Sequence, residues 1–278
     1  MLRAAQHACR SRYKEGARSI TQLVSAPRAY QLQKRHFDEI TVDVTDLLKP
    51  MIGTAMHEHL AKFTVEGEVS ERRLYMELEG MMITGQPDLF IPEKMELIDY
   101  KTASVFSYLL GEKNDYIAQV NCYRYLIEQS GTYQEDCIES LKLAFIFTDW
   151  QWRKGARDDN YPEACANNAD VELWSEKKTR EYILERISLH KAAEDMSDAE
   201  LVECTDEEVW RRKETWAVKK NGGVNALRGS VSDSKEQAEA YWTQKGKTGF
   251  FVEHRPGETV KCDRFCNAAP FCSQKNNA

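Results

Sequence analysis

The chain predicts an α/β fold, a mixed β-sheet flanked by helices, and three observations carry that prediction. Apolar residues recur at helical spacing over 46–63, switch to strand-like alternation over 73–102, and return to helical spacing over 116–128. A strongly apolar run over 141–150 then reads as a buried strand, and 171–194 as a long helix. Helix, strands, helix, strand, helix is the order that layers helices on a sheet.

Taken from the N-terminus, residues 19–36 read as a helix that Ser19 or Thr21 caps and Pro27 divides. The helix over 46–63 turns Ile52, Met56, Leu60 and Phe63 to one side, and Gly53 within it implies close approach by another backbone. Residues 73–78 alternate as a strand, Glu79-Gly80 supplies a turn, 81–91 form the partner, and 95–102 complete a meander of three strands. Residues 116–128 form an amphipathic helix ended by Ser130-Gly131. The strand over 141–150 is expected to be central, and 151–170, with Pro162 and Asn167-Asn168, to be a loop near the active face. From about residue 200 the composition shifts to charge, Trp and Gly, with short strands at 226–228 and 250–253 around a helix over 234–242. The expected organisation is a basic arm over 1–18, a core over 19–199 and an appended lobe over 200–278.

The net charge is −7, which argues against a protein that coats nucleic acid by charge alone and leaves open a local basic groove. Lys34-Arg35, Arg72-Arg73, Arg153-Lys154, Arg211-Arg212-Lys213 and Lys219-Lys220 are the clusters available to line one; any single pair is otherwise an ordinary solvated surface. No apolar run reaches the length of a membrane span, so a soluble protein without membrane partners is expected. Residues 1–18 are rich in Arg and poor in acids, which fits a nucleic-acid-touching arm or a mitochondrial transit segment.

The chemistry centres on Gly85-Gln86-Pro87-Asp88 and Ile98-Asp99-Tyr100-Lys101-Thr102. Alternation puts Asp99 and Lys101 on one face of their strand and Ile98 and Tyr100 on the other. Pro87 interrupts regular pairing just before Asp88, so two carboxylates from neighbouring strands converge with an ammonium beside them. Hard divalent cations want oxygen ligands of this kind, and Mg²⁺ uses one or two carboxylates. An ammonium there balances charge on a phosphoryl transition state. An isolated Asp-x-Lys is more often a surface ion pair; the preceding Gly-x-x-Asp and the apolar strands raise it above that. His57, on the helix before the strands, adds an imidazole that Mn²⁺ tolerates better than Mg²⁺. Gln119 and Tyr123, four apart on the next helix, share a face with Tyr116, and the Gln there suits contact with a phosphate or with Lys101.

Four motifs in order, Gly53 to His57, Gly85 to Asp88, Asp99 to Thr102 and Gln119 to Tyr123, resemble the RecB-type branch of the PD-(D/E)XK nucleases, which includes Cas4-like proteins and phage-encoded exonucleases. The match covers about residues 45–130. The resemblance implies a restriction-endonuclease-like core, Mg²⁺ or Mn²⁺ held by His57, Asp88, Asp99 and the Tyr100 carbonyl, and a catalytic Lys101 supported by Gln119 and Tyr123. It also implies exonuclease action on DNA ends in phage or bacterial recombination and repair, in the cytoplasm, with a recombination or annealing protein as a possible partner. A non-catalytic DNA-end or partner-binding protein on the same fold is the alternative, and the intact catalytic set argues against it.

Eight cysteines are present, three of them, Cys262, Cys266 and Cys272, close to the C-terminus. Cas4-like members of this branch often hold a [4Fe–4S] cluster with one cysteine before the core and three near the C-terminus. Here Ala26 stands where the early cysteine is expected, and Cys204 or Cys9 must replace it. Cys204 is preferred because it lies in the same lobe. A [4Fe–4S] cluster on Cys204, Cys262, Cys266 and Cys272 is therefore expected to staple 200–278, with zinc as the alternative ion.

Overall fold

Proline has no N–H to give a helix and crowds the residue before it. In the computed structural model, which describes residues 17–111, 114–131, 133 and 137–276, the helix expected over 19–36 is accordingly two. Strand β1 (Ala17–Ser19) leads into α1 (Ile20–Leu23), where Ser19 and Gln22 form a capping box, and α2 (Pro27–Arg35) opens on Pro27. Arg18, read from sequence as the last residue of the basic arm, is buried in β1, paired with Glu194 at 2.6 Å and donating to His190 Nδ1 at 2.7 Å. Residues 1–16, Cys9 among them, lie outside the described residues.

Helix α3 (Leu48–Leu60) follows a 3-10 turn capped by Asp43. Next come β2 (Val69–Ser70), β3 (Leu74–Leu78), β4 (Met81–Gly85), β5 (Leu89–Ile91) and β6 (Glu96–Ala103). The three-strand meander is corrected here. The run over 81–91 breaks at Gln86-Pro87-Asp88, and its halves serve different sheets: β4 pairs with β3 and, in parallel, with β1, whereas β5 pairs with β2 and β6. Pro87 cannot donate to a ladder, so the chain changes sheets at the residue before Asp88. The β3–β4 turn, Glu79-Gly80, has both residues at positive φ (49° and 69°), the two-residue turn that matches strand twist.

Helices α4 (Val105–Leu109) and α5 (Asn114–Gln129) precede β7 (Ser140–Phe147), α6 (Trp152–Gly155), β8 (Ala166–Val171) and α7 (Glu176–Asp195). The larger sheet runs β2-β5-β6-β7-β8, so β6 is central and β7 is interior, parallel to β6 and antiparallel to β8. The expected loop over 151–170 thus contains the start of an edge strand. Asn167 and Asn168 enter it by backbone pairing with β7, while their side chains stay exposed. Helix α5 packs on β3, β6 and β7 and against α1 and α7, closing a core that includes Ile83, Leu97, Leu126, Leu141, Leu143 and Ile183.

Beyond residue 200, β9 (Arg211–Arg212), β10 (Thr215–Lys220), β11 (Ala226–Ser232), α8 (Lys235–Gln244), β12 (Phe250–Arg255), β13 (Glu258–Thr259), α9 (Val260–Arg264) and α10 (Ser273–Asn276) follow. Strand β10, absent from the sequence reading, is the centre of the sheet β11-β10-β12, on which α8 packs. The C-terminus returns to the core, where Ala268 and Cys272 cluster with Leu32, Ala193 and Leu201. Among the described residues no helix is long and apolar enough to cross a membrane.

Candidate active site and cysteine cluster

Antiparallel pairing places Leu89 opposite Ile98, so Asp88, one residue before β5, meets Asp99 on β6. Two glycines let helices close over this point. A Cβ on Gly85 would sit 2.7 Å from Leu126 and 2.9 Å from Tyr123, so only glycine lets β4 lie this close to α5. A Cβ on Gly53 would sit 3.2 Å from Thr102 Oγ1, which fixes α3 against β6; the close neighbour is a side chain, not the backbone expected.

Asp88 is buried and divided between two partners. Its Oδ1 lies 3.0 Å from His57 Nδ1, and its Oδ2 accepts the Tyr100 N–H at 2.6 Å. His57 Nδ1 is also 3.6 Å from Glu71 Oε1. His57, Glu71 and Asp88 each offer a ligand atom within 4.8 Å of the others, a group able to hold a metal ion. Hydrogen bonds to Asp88 and then Glu71 push His57 up to about 10. The imidazole stands beside two carboxylates, a mixed donor set able to hold a divalent cation.

Asp99 is buried, and its Oδ2 lies 2.6 Å from Lys101 Nζ. Burial raises the Asp99 carboxyl, with Lys101 opposing and the nearby Asp88 reinforcing the rise. For Lys101 burial works to lower the pKa, and the Asp99 carboxylate, with Tyr116 and Tyr123 adding to it, more than reverses that. Lys101 Nζ donates to Gln119 Oε1 at 2.8 Å and sits 4.5 Å from the Tyr116 ring centre. Gln119 Nε2 donates to Tyr123 Oη and to Thr21 Oγ1, each at 3.1 Å. Burial pushes the Tyr123 phenol up to about 12, which keeps it a neutral hydrogen-bonding group.

Of the site residues read from sequence, His57 and Asp88 meet directly, and Asp99, Lys101, Gln119 and Tyr123 form a chain behind them. Asp99 lies outside the three-ligand group. Tyr100 enters through its N–H on Asp88 and its ring edge against His57, with centroids 6.0 Å apart. Glu71 was missed. Its place depends on a left-handed backbone (φ 52°) and on its N–H reaching the carbonyls of Pro87 and Asp88. Nothing in the sequence separates it from Glu66 and Glu68 beside it.

The cysteines present a second constellation. Burial raises Cys204 to about 12, and Glu208, Cys272, Cys262 and Cys266 reinforce the rise. Burial, then Cys272 among other groups, also raises Cys262; burial, with Cys262 and Cys272, raises Cys266. The four thiols therefore stand within electrostatic reach of one another, and all four are free. Cys204 is fixed to the C-terminal helix by its N–H to Gln274 Oε1 (2.9 Å) and by Gln274 Nε2 to its carbonyl (2.8 Å). Buried Arg28 on α2 donates from Nε to Cys272 Sγ at 3.2 Å and also bonds Leu201 O and Ser273 Oγ.

No family model matches the chain, and no curated protein is found to be similar to it. Among solved structures it is similar to SSO0001, with 17% identity over 68% of this chain and 84% of that one and a TM-score of 0.48. A phage-related exonuclease from Haemophilus somnus 129PT follows at 12% identity over 60% and 70% of the two chains, with a TM-score of 0.30. An alkaline exonuclease from Laribacter hongkongensis is similar at 13% identity over 67% and 93%, with a TM-score of 0.37.

Proposed function

We propose that this chain is a metal-dependent DNA exonuclease of the RecB-type PD-(D/E)XK class. The observation that carries the reading is the convergence of His57, Glu71, Asp88, Asp99 and Lys101 at the point where the chain passes from one sheet to the other. His57, Glu71 and Asp88, with Asp99 behind, would hold a divalent cation, which when bound supplies Lewis-acid stabilisation and water activation. The chain's own residues do the rest. The Tyr100 N–H fixes one oxygen of Asp88 and so aims the other toward His57. Gln119 and Asp99 hold Lys101 Nζ as a charged group, placed to face a phosphoryl oxygen as negative charge grows on it. Tyr123 and Thr21, each accepting from Gln119 Nε2, orient it in turn.

Action at DNA ends, and a role in recombination or repair beside an annealing protein, rest on the motif resemblance. The test is Mn²⁺-supported digestion of a linear duplex against a covalently closed circle of the same sequence. An exonuclease consumes the linear form and spares the circle, and Asp99→Asn spares both. Cutting of the circle at an equal rate would overturn the exonuclease reading.

We propose that Cys204, Cys262, Cys266 and Cys272, which stand within electrostatic reach of one another, would hold a [4Fe–4S] cluster, with zinc as the alternative. Arg28 would offset thiolate charge there from within the core.

A further inference from the structure

A cavity of about 660 Å³ lies between α1–α2, the β3–β4 hairpin and the cysteine region. It has three features in common with a site for an unpaired polyanion. No Asp or Glu lines it, although the chain carries 45 of them and a net charge of −7. Two cations line it, Arg73 and Lys261. Lys261 has a carboxylate partner, Asp115 at 3.8 Å; Arg73 has none among the described residues and donates only to the neutral Gln86 and Thr84. Three aromatic side chains line it; Tyr30 lies under the Arg18 guanidinium, whereas Tyr75 and Phe265 remain 56% exposed each, Phe265 with Trp210 tilted against it at 5.4 Å.

Two hydrogen-bond relays lead from this cavity to the candidate active site. Thr21, on its wall, accepts from Gln119, which holds Lys101. Arg73 donates to Gln86, which donates to Glu71 beside His57. None of His57, Glu71, Asp88, Asp99 or Lys101 lines the cavity itself; Gln119 and Gln86 are the groups that connect its wall to the lysine and to the carboxylates.

We infer that this cavity binds a single-stranded nucleic acid segment, its bases stacked on Tyr75 and Phe265 and its phosphates on Arg73 and Lys261, and leads the strand to Lys101. The inference rests on the nuclease reading for its direction, but its binding claim stands apart from turnover. The volume is that of a small-molecule pocket, which a few unpaired nucleotides match and a base-paired helix does not. Aromatic stacking and a cationic wall are the sequence-tolerant means of holding single strands.

The experiment is fluorescence anisotropy in EDTA with a fluorescein-labelled oligothymidylate and a blunt hairpin duplex as separate probes. The single strand is expected to bind more tightly than the duplex. Tyr75→Ala and Phe265→Ala, both at exposed side chains, are each expected to weaken it about fivefold to a hundredfold. Gln33→Glu, an isosteric change on the cavity wall that adds one negative charge, is expected to weaken it as well. Lys261→Gln is expected to lower the slope of log affinity against log salt by about 0.7. Equal or tighter binding of the duplex, or wild-type affinity in all four variants, overturns the inference. Adding Mn²⁺ separates the two readings. If wild type digests a tailed duplex while the variants still bind like wild type, the cavity is wrong and the nuclease reading stands. If digestion never occurs but the variants lose the oligonucleotide, the cavity stands and the nuclease reading falls.

Discussion

The sheet junction around Asp88 and the cysteine region around Cys204 solve the same problem by different means. Each gathers polar side chains in a largely buried place. At the junction, strand geometry does the gathering: Asp99 and Lys101 share a face because they are two apart, and the β5–β6 register brings Asp88 alongside. In the cysteine region short helices and turns from residues 204 and 262–272 meet with little sheet behind them, and a buried Arg28 from α2 ties them to the core. A site on a rigid sheet should survive loss of its ion, whereas a site whose shape comes from loops should depend on it.

The largest expected effect belongs to Lys101→Ala. It should lower the digestion rate by on the order of 10²-fold or more while leaving Mn²⁺ binding measurable by calorimetry. It also strips a buried carboxylate of its partner, so thermal stability without metal should fall as well. A rate near wild type would break the assignment of the sheet junction.

Cys204→Ser tests the other half of the comparison. Its iron and sulfide content should fall as far as that of Cys262→Ser, and limited proteolysis should open the chain after residue 200 before it touches the core. Cys165→Ser, at an exposed thiol outside the proposed ligand set, should change neither. If Cys204→Ser keeps its iron and Cys9→Ser loses it, the fourth ligand lies in the N-terminal arm.

Glu71→Gln sharpens the account of the metal group. It keeps the shape and the contact with Gln86 but removes a charge 3.6 Å from His57. Mn²⁺ affinity should drop about tenfold, the lower end of what loss of a supporting group typically costs. Unchanged affinity would remove Glu71 from the site.

The smallest effects concern the glycines. Gly85→Ala forces a methyl against Leu126 and Tyr123 in a packed core and should cost about 1–3 kcal/mol in urea denaturation. Gly53→Ala meets only Thr102 Oγ1 at 3.2 Å and should cost less. Equal costs would mean that α3 is held to β6 as tightly as α5 is to β4.

The same contrast explains what could be read in advance. His57, Asp88, Asp99, Lys101, Gln119 and Tyr123 were legible because strand and helix periods turn sequence spacing into spatial placement. The two-sheet split was not, since Pro87 reads equally as a bulge within one strand. Strand β8 was invisible because Ala166 to Asp170 has no strand character of its own and takes its form from β7. Strand β10 was hidden by the charged residues around and within it, although Ala217 and Val218 are fully buried. Glu71 depended on a backbone torsion that no spacing reveals. Cys204 could be favoured only as a cysteine in the right segment; its approach to the other three is a property of the fold.

The most direct test is a parallel titration of Mn²⁺ into metal-stripped protein, following heat of binding and release of label from the end of linear DNA. The account predicts no release in EDTA, half-maximal release at the concentration that half-saturates binding, and a joint shift of both curves to higher Mn²⁺ in His57→Ala. Release of label in EDTA, or a His57→Ala protein whose two curves match those of wild type, would contradict it.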